Sequence, residues 1–400
     1  MNVTIRPGKA VGTAIVPTSK SMAHRLLICA GLACGTSRIT GLDMNEDICA
    51  TIDCLRALGA TCTIQGNTAT VTGTDLRKVA PTKPLACRES GSTLRFFIPL
   101  TLLCGKGACF AGAETLLHRP LAVYEQLPDV SFVRSETRLQ VQGILEGGNY
   151  ALPGDVSSQF ISGLLFALPL AAKDSRILIT TPPESRPYID LTLQALRTFG
   201  VQAQWEGNSL FIPGTQQFRP TAVAVEGDWS AAAFFYALNA LGSRITVCGL
   251  CDNSLQGDKA CLSHLERLCE GFATIDLSDH PDLGPVLFAV AAAKHGGCFT
   301  GTRRLQYKES HRAAAMAQEL AAFGTQVTVE ENAVTIVPAA FHAPSRPLQG
   351  HNDHRIVMAL AVLLTLTGGT LTDSQAVSKS FPSFFEKLKQ LGIDLQTQTE

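Results

Sequence analysis

The sequence predicts an α/β protein of two domains, each built from three repeats that contain both helices and strands. Six apolar, helix-like runs each open with a small or acidic polar residue, and these openings at 19, 90, 157, 228, 282 and 352 lie 71, 67, 71, 54 and 70 residues apart. A second pattern recurs between them: a glycine-rich turn, a short β-rich stretch, a polar loop and an amphipathic helix ending near glycine. Because a period near 70 residues exceeds that of solenoid repeats and three such units make a domain of ordinary size, we expect two domains of three repeats.

The copies of the second pattern place the individual strands and helices. They predict turn-and-strand segments, each with its helix, at 35–41 with 47–59, 174–180 with 187–200, 242–249 with 257–271, 296–301 with 312–324 and 368–373 with 382–392. The copy at 105–112 is less regular, and its helix is expected to begin near Arg119. Alternating stretches at 60–64 and 68–72 around Gly66 predict a hairpin. Starting at the strand that follows the glycine turn, one unit is predicted to be roughly β-α-β-β-α. The full repeat is predicted to be of the β-α-β-α-β-β type.

The order of the helices along the chain predicts the domain boundaries. The first capped helix begins so early that residues before about Thr18 are expected to pair with the C-terminal half. The predicted domains are therefore a discontinuous one, 1–18 plus 226–400, and an inserted one, 19–225. The active site is expected in the cleft between them.

Composition excludes several classes of protein. The chain is 46% hydrophobic and 17% charged, which is typical of a compact globular protein, and its net charge of -1 argues against a nucleic-acid or membrane partner recognised by bulk electrostatics. The longest apolar runs, 161–172 and 356–367, are too short to span a bilayer. Thirteen cysteines without paired C-x-x-C spacing favour reduced thiols, and the N-terminus shows no signal peptide, so a cytoplasmic location is expected. Neither a phosphate-binding glycine loop nor metal-ligand spacing is present, and we expect no metal and no cofactor.

Charges at the helix openings predict an anion site. A helix N-terminus carries unpaired N–H groups and partial positive charge, so cations in the first turn oppose the helix dipole and are tolerated most easily when an anion binds there. Each motif alone is also typical of an ordinary helix cap or solvated charged loop. Together the cations of the helix starts and loops predict a strongly positive pocket for a substrate set with several negative charges; they are Lys20, Arg25, Arg95, Arg119, Lys308, Arg312, Arg355 and Lys379.

These motifs occur in a familiar order. The series runs Ser19-Lys20-Ser21 with Arg25, Ser90-Gly91-Ser92-Thr93-Leu94-Arg95, Arg119-Pro120, Ser157-Ser158-Gln159-Phe160, Ser185-Arg186-Pro187-Tyr188, Lys308-Glu309 with Arg312, Asn352-Asp353-His354-Arg355 and Lys379-Ser380-Phe381-Pro382. It resembles the 5-enolpyruvylshikimate-3-phosphate (EPSP) synthase family from about residue 5 to 390. The resemblance implies an inside-out α/β barrel in each of two domains, closing over small-molecule substrates in a monomer without cofactor or metal. It also implies transfer of the enolpyruvyl group of phosphoenolpyruvate to the 5-hydroxyl of shikimate 3-phosphate, with release of phosphate.

The same resemblance implies roles for individual residues. Shikimate 3-phosphate would be bound by Lys20, Ser21, Arg25, Ser157, Ser158, Gln159, Ser185, Asp282 and Lys308. Phosphoenolpyruvate would be bound by Lys20, Gly91, Arg119, Gln159, Arg312, Arg355 and Lys379. In an addition–elimination mechanism Asp282 would take the hydroxyl proton, Glu309 and Lys20 would protonate the methylene and reverse that step, and His354 would orient or protonate the phosphate.

The chain departs from the family pattern at several positions. Thr18 stands where glycine is frequent, His24 and Glu89 where asparagine is common, Arg304 where an asparagine often helps bind the shikimate, and His311 where aspartate is usual. These differences bear on substrate affinity and on inhibition by glyphosate. They leave the reaction that the resemblance implies unchanged.

Three other functions are alternatives to enolpyruvyl transfer to shikimate 3-phosphate. The enzyme that transfers enolpyruvate to UDP-N-acetylglucosamine shares the fold, but it usually carries a reactive cysteine just before the arginine of the Arg-Pro loop, and residues 114–118 contain none. A nucleic-acid-end enzyme such as an RNA 3′-phosphate cyclase would need a basic surface track. A non-catalytic anion-binding paralogue would not need Lys20, Asp282, Glu309 and His354 together.

Overall fold

A computed structural model describes residues 1–79, 81, 83–103, 105 and 107–398. The strands are β1 Asn2–Ile5, β2 Val11–Ile15, β3 Thr36–Thr40, β4 Thr61–Gln65, β5 Thr68–Thr72, β6 Leu85–Arg88, β7 Ala108–Gly112, β8 Val130–Arg134, β9 Arg138–Gly143, β10 Asn149–Leu152, β11 Ser175–Ile179, β12 Gln204–Glu206, β13 Ser209–Ile212, β14 Ala222–Ala224, β15 Arg244–Cys248, β16 Ala273–Asp276, β17 Gly297–Thr300, β18 Gln326–Val329, β19 Ala333–Val337, β20 Gly369–Leu371 and β21 Leu395–Gln398. The α-helices are α1 Lys20–Leu32, α2 Glu46–Ala57, α3 Gly91–Leu102, α4 Glu114–Leu117, α5 Ala122–Glu125, α6 Ser158–Ala167, α7 Arg186–Thr198, α8 Trp229–Ala240, α9 Cys261–Glu270, α10 Gly284–Ala293, α11 Arg312–Ala321, α12 His354–Thr367 and α13 Phe384–Gln390. Short 3-10 turns cover Leu168–Leu170, Gly257–Ala260, Pro281–Leu283, Arg303–Tyr307 and Ser374–Lys379.

The chain divides into two compact units. Unit 1 consists of Met1–Pro17 with Gly227–Glu400, and unit 2 consists of Thr18–Glu226. Each unit has its own hydrophobic core, and these cores share no residues.

A single sheet pattern recurs in both units. In β6-β7-β9-β8, the first two strands are parallel and the last two form an antiparallel hairpin against them. The sheets β10-β11-β13-β12, β14-β3-β5-β4 and β16-β17-β19-β18 have the same order and the same strand directions. The β-α-β-α-β-β repeat is thus confirmed along the chain in the sheets that start with β6, β10 and β16, whereas the shorter β-α-β-β-α form omitted one strand. In the fourth sheet, the first strand is β14, which comes from the end of unit 2.

Two repeats of unit 1 are incomplete. In one, β2 and β15 form a parallel pair without a following hairpin, since α9 leads directly to β16. In the other, β1 pairs antiparallel with both β20 and β21, and the first strand is reduced to an isolated parallel bridge between Leu348 and Leu371. Strands of the segment Met1–Pro17 thus pair with β15, β20 and β21.

The most apolar helix of each repeat lies in the core. Helices α1, α3 and α6 of unit 2 are buried over most of their length, as are α8, α10 and α12 of unit 1. The strands around them alternate between buried and exposed residues, so each sheet turns one face to the helices and the other to solvent. Burying each leucine- or phenylalanine-sized side chain in these helices contributes about 1.5–3 kcal/mol relative to exposure. The helices inside and sheets outside give the inside-out α/β arrangement.

Local capping explains where five of the six predicted helices begin. The side chains of Ser19, Ser90, Ser157, Asp228 and Asp353 each accept a backbone N–H bond from the first turn of the following helix. The sixth helix is present, but it starts later than predicted and without this cap. Asp282 lies inside the 3-10 turn Pro281–Leu283, and α10 begins at Gly284.

The prediction of a helix near Arg119 is wrong. Arg119 and Pro120 lie between the short helices α4 and α5, because a proline ring removes an N–H donor and disfavours helical geometry in the residue before it. In the described part of the chain, no helix is both long and apolar enough to cross a membrane.

Candidate active site

Three carboxylates surround the Arg312 side chain at the start of α11 in unit 1. Arg312 is 1% exposed, and its Nε donates to Asp353 Oδ2 at 2.8 Å, its Nη1 to Asp282 Oδ1 at 2.8 Å and its Nη2 to Glu309 Oε2 at 2.6 Å. Burial alone opposes the charge, but the three carboxylates raise the pKa of Arg312 above its usual value. The guanidinium therefore stays charged and fixes three acidic side chains from separate segments.

Asp282 is the second centre of the cluster in unit 1. Besides Arg312, its carboxylate accepts Lys308 Nζ at 3.1 Å and Arg355 Nη2 at 3.0 Å, and Arg355 Nη1 also reaches its backbone oxygen at 3.3 Å. Burial would raise the pKa of Asp282, but Arg355, Lys308 and Arg312 hold it well below its usual range. Burial also lowers the pKa of Lys308, against the opposing effect of Asp282. Three cations and three carboxylates thus balance within this cluster.

The start of α12 connects to this cluster through its cap. Asp353 accepts the Arg355 N–H at 2.9 Å and the Ser310 hydroxyl at 3.0 Å, in addition to Arg312. Arg312 offsets the burial penalty and lowers the pKa of Asp353. The cap residue that begins the helix is therefore also a ligand of Arg312. Beside it, His354 is 1% exposed, and Lys379 Nζ donates to the Asn352 carbonyl at 2.7 Å.

In unit 2, the first two turns of α1 carry Lys20, Ser21 and Arg25. Lys20 Nζ pairs with Asp47 Oδ2 at 2.8 Å, with both side chains largely buried. Arg25 donates to Thr192 Oγ1 at 2.8 Å and to the carbonyls of Ser21 and Tyr188 at 2.7 and 2.8 Å.

The charge of Arg25 has no carboxylate among these three acceptors. Arg25 is 3% exposed, its guanidinium lies over the Phe96 ring at 5.3 Å, and burial lowers its pKa to about 10. A buried cation with neutral acceptors is costly to the fold unless an anion binds it. This is the strongest indication of an anion site in unit 2.

The start of α3 places a second group of residues together in unit 2. A Cβ added to Gly91 would lie 2.8 Å from Arg119 Nη1 and 3.2 Å from Arg95 Nη1, so both guanidinium groups approach the glycine. Arg95 Nη1 donates to Gln159 Oε1 at 2.7 Å, and Gln159 Nε2 donates to Ser92 Oγ at 2.9 Å. The structure therefore brings Arg119, Gly91 and Gln159 together although they are distant in sequence.

The predicted serine ligands occupy two further helix starts in unit 2. Ser157 caps α6 by accepting the Gln159 N–H at 3.3 Å, and Ser158 is the first residue of that helix. Ser185 precedes α7 in a left-handed conformation with φ 56° and is 3% exposed. Non-glycine residues in this region are uncommon and cluster at functional sites.

Several contributors to these clusters were missing from the predicted site. Asp47 pairs with Lys20, Thr192 and Tyr188 bind Arg25, and Asp353 binds Arg312. Asp353 adjoins the predicted His354, and Tyr188 belongs to the motif Ser185-Arg186-Pro187-Tyr188, so the positions of these two residues in their motifs were usable signals. The others come from helices far away in the chain, and no local pattern indicates them. Among the described residues, no group of three or more histidine, cysteine, aspartate or glutamate side chains is placed to hold a metal ion.

Comparison with protein families gives a match along nearly the whole chain. The model described as "EPSP synthase (3-phosphoshikimate 1-carboxyvinyltransferase)" matches residues 5–270 and 264–388. A 3-phosphoshikimate 1-carboxyvinyltransferase of Clostridium perfringens is 38% identical over 98% of this chain and 98% of its own length. One of Clostridium beijerinckii is 37% identical over 98% and 97% of the two chains. The chain belongs to the EPSP synthase family.

Solved structures agree with the fold of the EPSP synthase family. EPSP synthase from Acinetobacter baumannii superposes with a TM-score of 0.79 at 24% identity, covering 99% of this chain and 100% of the other. The enolpyruvyl transferase NikO from Streptomyces tendae gives 0.78 at 15% identity, covering 99% and 98%. The predicted two-domain α/β fold and family membership are confirmed.

Proposed function

We propose that this protein is a 3-phosphoshikimate 1-carboxyvinyltransferase, which transfers the enolpyruvyl group of phosphoenolpyruvate to the 5-hydroxyl of shikimate 3-phosphate and releases phosphate. One structural observation carries the proposal within the family. Unit 2 buries Arg25 against neutral acceptors, while unit 1 surrounds the Asp282 carboxylate with Lys308, Arg312 and Arg355. The first arrangement suits a phosphate ligand, and the second suits a reaction that moves protons beside anionic groups.

Shikimate 3-phosphate is assigned mainly to residues of unit 2. Its phosphate would take the charge of Arg25, with hydroxyl donors at the starts of α1, α6 and α7 completing the oxygen contacts. The full set proposed for this substrate is Lys20, Ser21, Arg25, Ser157, Ser158, Gln159, Ser185, Asp282 and Lys308.

Phosphoenolpyruvate is assigned to the arginines of both units. Arginine forks bind carboxylate and phosphate oxygens in pairs, and Gly91 lets a ligand approach the backbone of α3. The proposed set is Lys20, Gly91, Arg119, Gln159, Arg312, Arg355 and Lys379. When an anion binds Arg312 or Arg355, these cations shift part of their interaction from Asp282 to the substrate.

That exchange explains how Asp282 can act as a base. With three cations around it, its lowered pKa makes it a weak proton acceptor. Negative charge from bound substrates neutralises those cations and raises the basicity of Asp282 when the hydroxyl is in place. Proton transfer of this kind contributes about 10²–10⁴-fold to a rate.

The second proton transfer goes to the methylene carbon. We assign it to Glu309, which contacts Arg312 Nη2, and to Lys20, which contacts Asp47. His354 is proposed to orient or protonate the departing phosphate from the first residue of α12.

We further expect the protein to be a monomer located in the cytoplasm. Sedimentation velocity tests the first expectation, and cell fractionation tests the second.

Phosphate release tests this function directly. Purified protein is given phosphoenolpyruvate with shikimate 3-phosphate, and in parallel phosphoenolpyruvate with UDP-N-acetylglucosamine. Release with the first pair only, lost in Lys20→Met and kept in Lys389→Met at the exposed end of α13, is the expected result. Release with the nucleotide sugar only would keep the fold and overturn the substrate. No release from folded protein would reject enolpyruvyl transfer to either acceptor.

A further inference from the structure

A buried carboxylate lies in the last turn of α11, outside the set of residues assigned to substrates. Glu319 is 0% exposed and accepts Arg346 Nη1 at 2.9 Å, the Gln349 N–H at 3.1 Å and His351 Nε2 at 3.0 Å. These donors offset its burial and lower its pKa. Three donors from one short segment, residues 346–351, therefore bind a single carboxylate of helix α11.

The segment that Glu319 holds contains a tight turn. The Asp353 N–H donates to the Gly350 carbonyl at 2.9 Å, and the two residues between them, His351 and Asn352, have φ of 51° and 50°. Two left-handed residues in succession are typical of a type I′ turn and costly outside glycine. Gly350 itself has no room for a side chain, since an added Cβ would lie 2.5 Å from Val357 Cγ2 and 2.8 Å from the Thr372 carbonyl.

The second half of this turn contacts residues that we assign to phosphoenolpyruvate. The Asn352 carbonyl accepts Lys379 Nζ at 2.7 Å, and Asp353, which ends the turn, accepts Arg312 Nε and the Arg355 N–H. Arg312 and Glu319 are seven residues apart on α11, so they lie on one face of the helix, two turns apart. Helix α11 therefore holds the turn at two points, by Arg312 at residue 353 and by Glu319 at residues 349 and 351.

We propose that Glu319 is a positioning residue for the transfer reaction, because it holds the turn 350–353 in the conformation that orients Lys379, Arg312 and Arg355. This inference rests on the proposed function. Glu319 touches no substrate in this proposal and acts through the turn. Its loss should therefore change binding of phosphoenolpyruvate and leave binding of shikimate 3-phosphate, assigned mainly to unit 2, almost unchanged.

The test is Glu319→Gln. The amide keeps the size of the side chain, but its NH₂ group faces N–H donors whose hydrogen bonds the carboxylate accepted, and it cannot accept them. We expect the KM for phosphoenolpyruvate to rise about tenfold while the KM for shikimate 3-phosphate stays within twofold, a difference of about 1.4 kcal/mol between the substrates. Hydrogen exchange of the peptide containing 349–353 should be faster in the variant. Glu266→Gln, an exposed carboxylate on α9, is the matched control and should change none of these quantities.

A second variant covers the case in which Glu319→Gln does not fold. His351→Asn removes the imidazole that donates to Glu319 and keeps a residue that tolerates the left-handed conformation. We expect the same selective rise in the KM for phosphoenolpyruvate, about threefold. If either folded variant raises both KM values together, or lowers Vmax with both unchanged, the role is structural and the positioning proposal is rejected. A wild-type protein without activity would reject the proposed function instead.

Discussion

The two units treat a buried arginine in opposite ways. In unit 1, Arg312 is bound by three carboxylates, and its pKa is raised; in unit 2, Arg25 is bound by a hydroxyl and two carbonyls, and burial lowers its pKa to about 10. Both side chains are almost fully buried. The difference lies in the charge of their partners rather than in their burial.

From this difference we infer that the two units have different roles in the proposed reaction. Unit 1 carries its own counter-charges, so its cations and carboxylates form a balanced network whose protons can be redistributed when a substrate arrives. In unit 2 the three acceptors of Arg25 are neutral, and we propose that a bound ligand balances its charge. The proposed reaction requires a fixed phosphate site and an adjustable proton-transfer site, and we propose that unit 2 supplies the first and unit 1 the second.

The largest expected effect comes from removing the centre of the unit 1 network. Asp282→Asn should lower kcat about a thousandfold, because the amide cannot accept the hydroxyl proton and leaves Lys308 and Arg355 without their carboxylate. Single-turnover formation of the enolpyruvyl product at saturating substrates measures this loss. A decrease of less than tenfold in correctly folded protein would remove Asp282 from the base role.

The stability of the two units should respond differently to loss of arginine. Arg312→Met removes the one cation that Asp282, Glu309 and Asp353 share and should destabilise unit 1 by about 3–5 kcal/mol. Arg25→Met leaves only neutral groups without a donor and also removes a buried charge that no carboxylate compensates, so it should change the stability of unit 2 by no more than about 1–2 kcal/mol.

The two tryptophans allow each unit to be measured separately. Trp205 lies on β12 in unit 2 and Trp229 on α8 in unit 1. Thermal unfolding in a Trp205→Phe background therefore reports unit 1, and in a Trp229→Phe background unit 2. Equal losses in the two units would contradict the proposed difference in charge compensation.

Lowering the pH should reduce the stability of the two units in two steps. His24 in unit 2 is buried and His264 in unit 1 is partly buried. Desolvation lowers the pKa of both, that of His264 to about 4, so each contributes stability above pH 6.5 that is lost as pH falls towards the folded value. Below about pH 4, Asp282, Asp353 and Glu319, whose pKa values are also lowered, should destabilise unit 1 further.

Urea unfolding at pH 7, 5 and 3.5 in the two single-tryptophan backgrounds tests this order. We expect comparable losses between pH 7 and 5 and a larger loss for unit 1 between pH 5 and 3.5. A matched loss in both units below pH 4 would show that the carboxylate network does not dominate acid sensitivity.

The smallest expected effect concerns the start of α3. Gly91→Ala places a Cβ within 2.8 Å of Arg119 Nη1 and should displace that flexible side chain, raising the KM for phosphoenolpyruvate several-fold. The KM for shikimate 3-phosphate should change less than twofold. Steady-state kinetics with each substrate varied in turn gives both values, and an unchanged KM for phosphoenolpyruvate would place Arg119 outside its site.

Much of this architecture was predictable from local sequence. The helices that begin after Ser19, Ser90, Ser157, Asp228 and Asp353 follow from capping residues, because a cap acts within one turn of the chain. At Asp282 the predicted start is displaced, since this acidic residue lies in a 3-10 turn and α10 begins at Gly284. The prediction failed at Arg119 because proline breaks the pattern into two short helices.

The sequence by itself therefore determined the repeat, the helix starts and which side chains carry charge, since these depend on neighbours within a few residues. Only the tertiary structure decided which charges are compensated. Arg25 meets Thr192 across 167 positions, Lys20 meets Asp47 across 27, and Glu319 meets His351 across 32. Such pairs depend on how helices of different repeats pack in the core, and the free energy of a buried charge is set by the partners that this packing supplies.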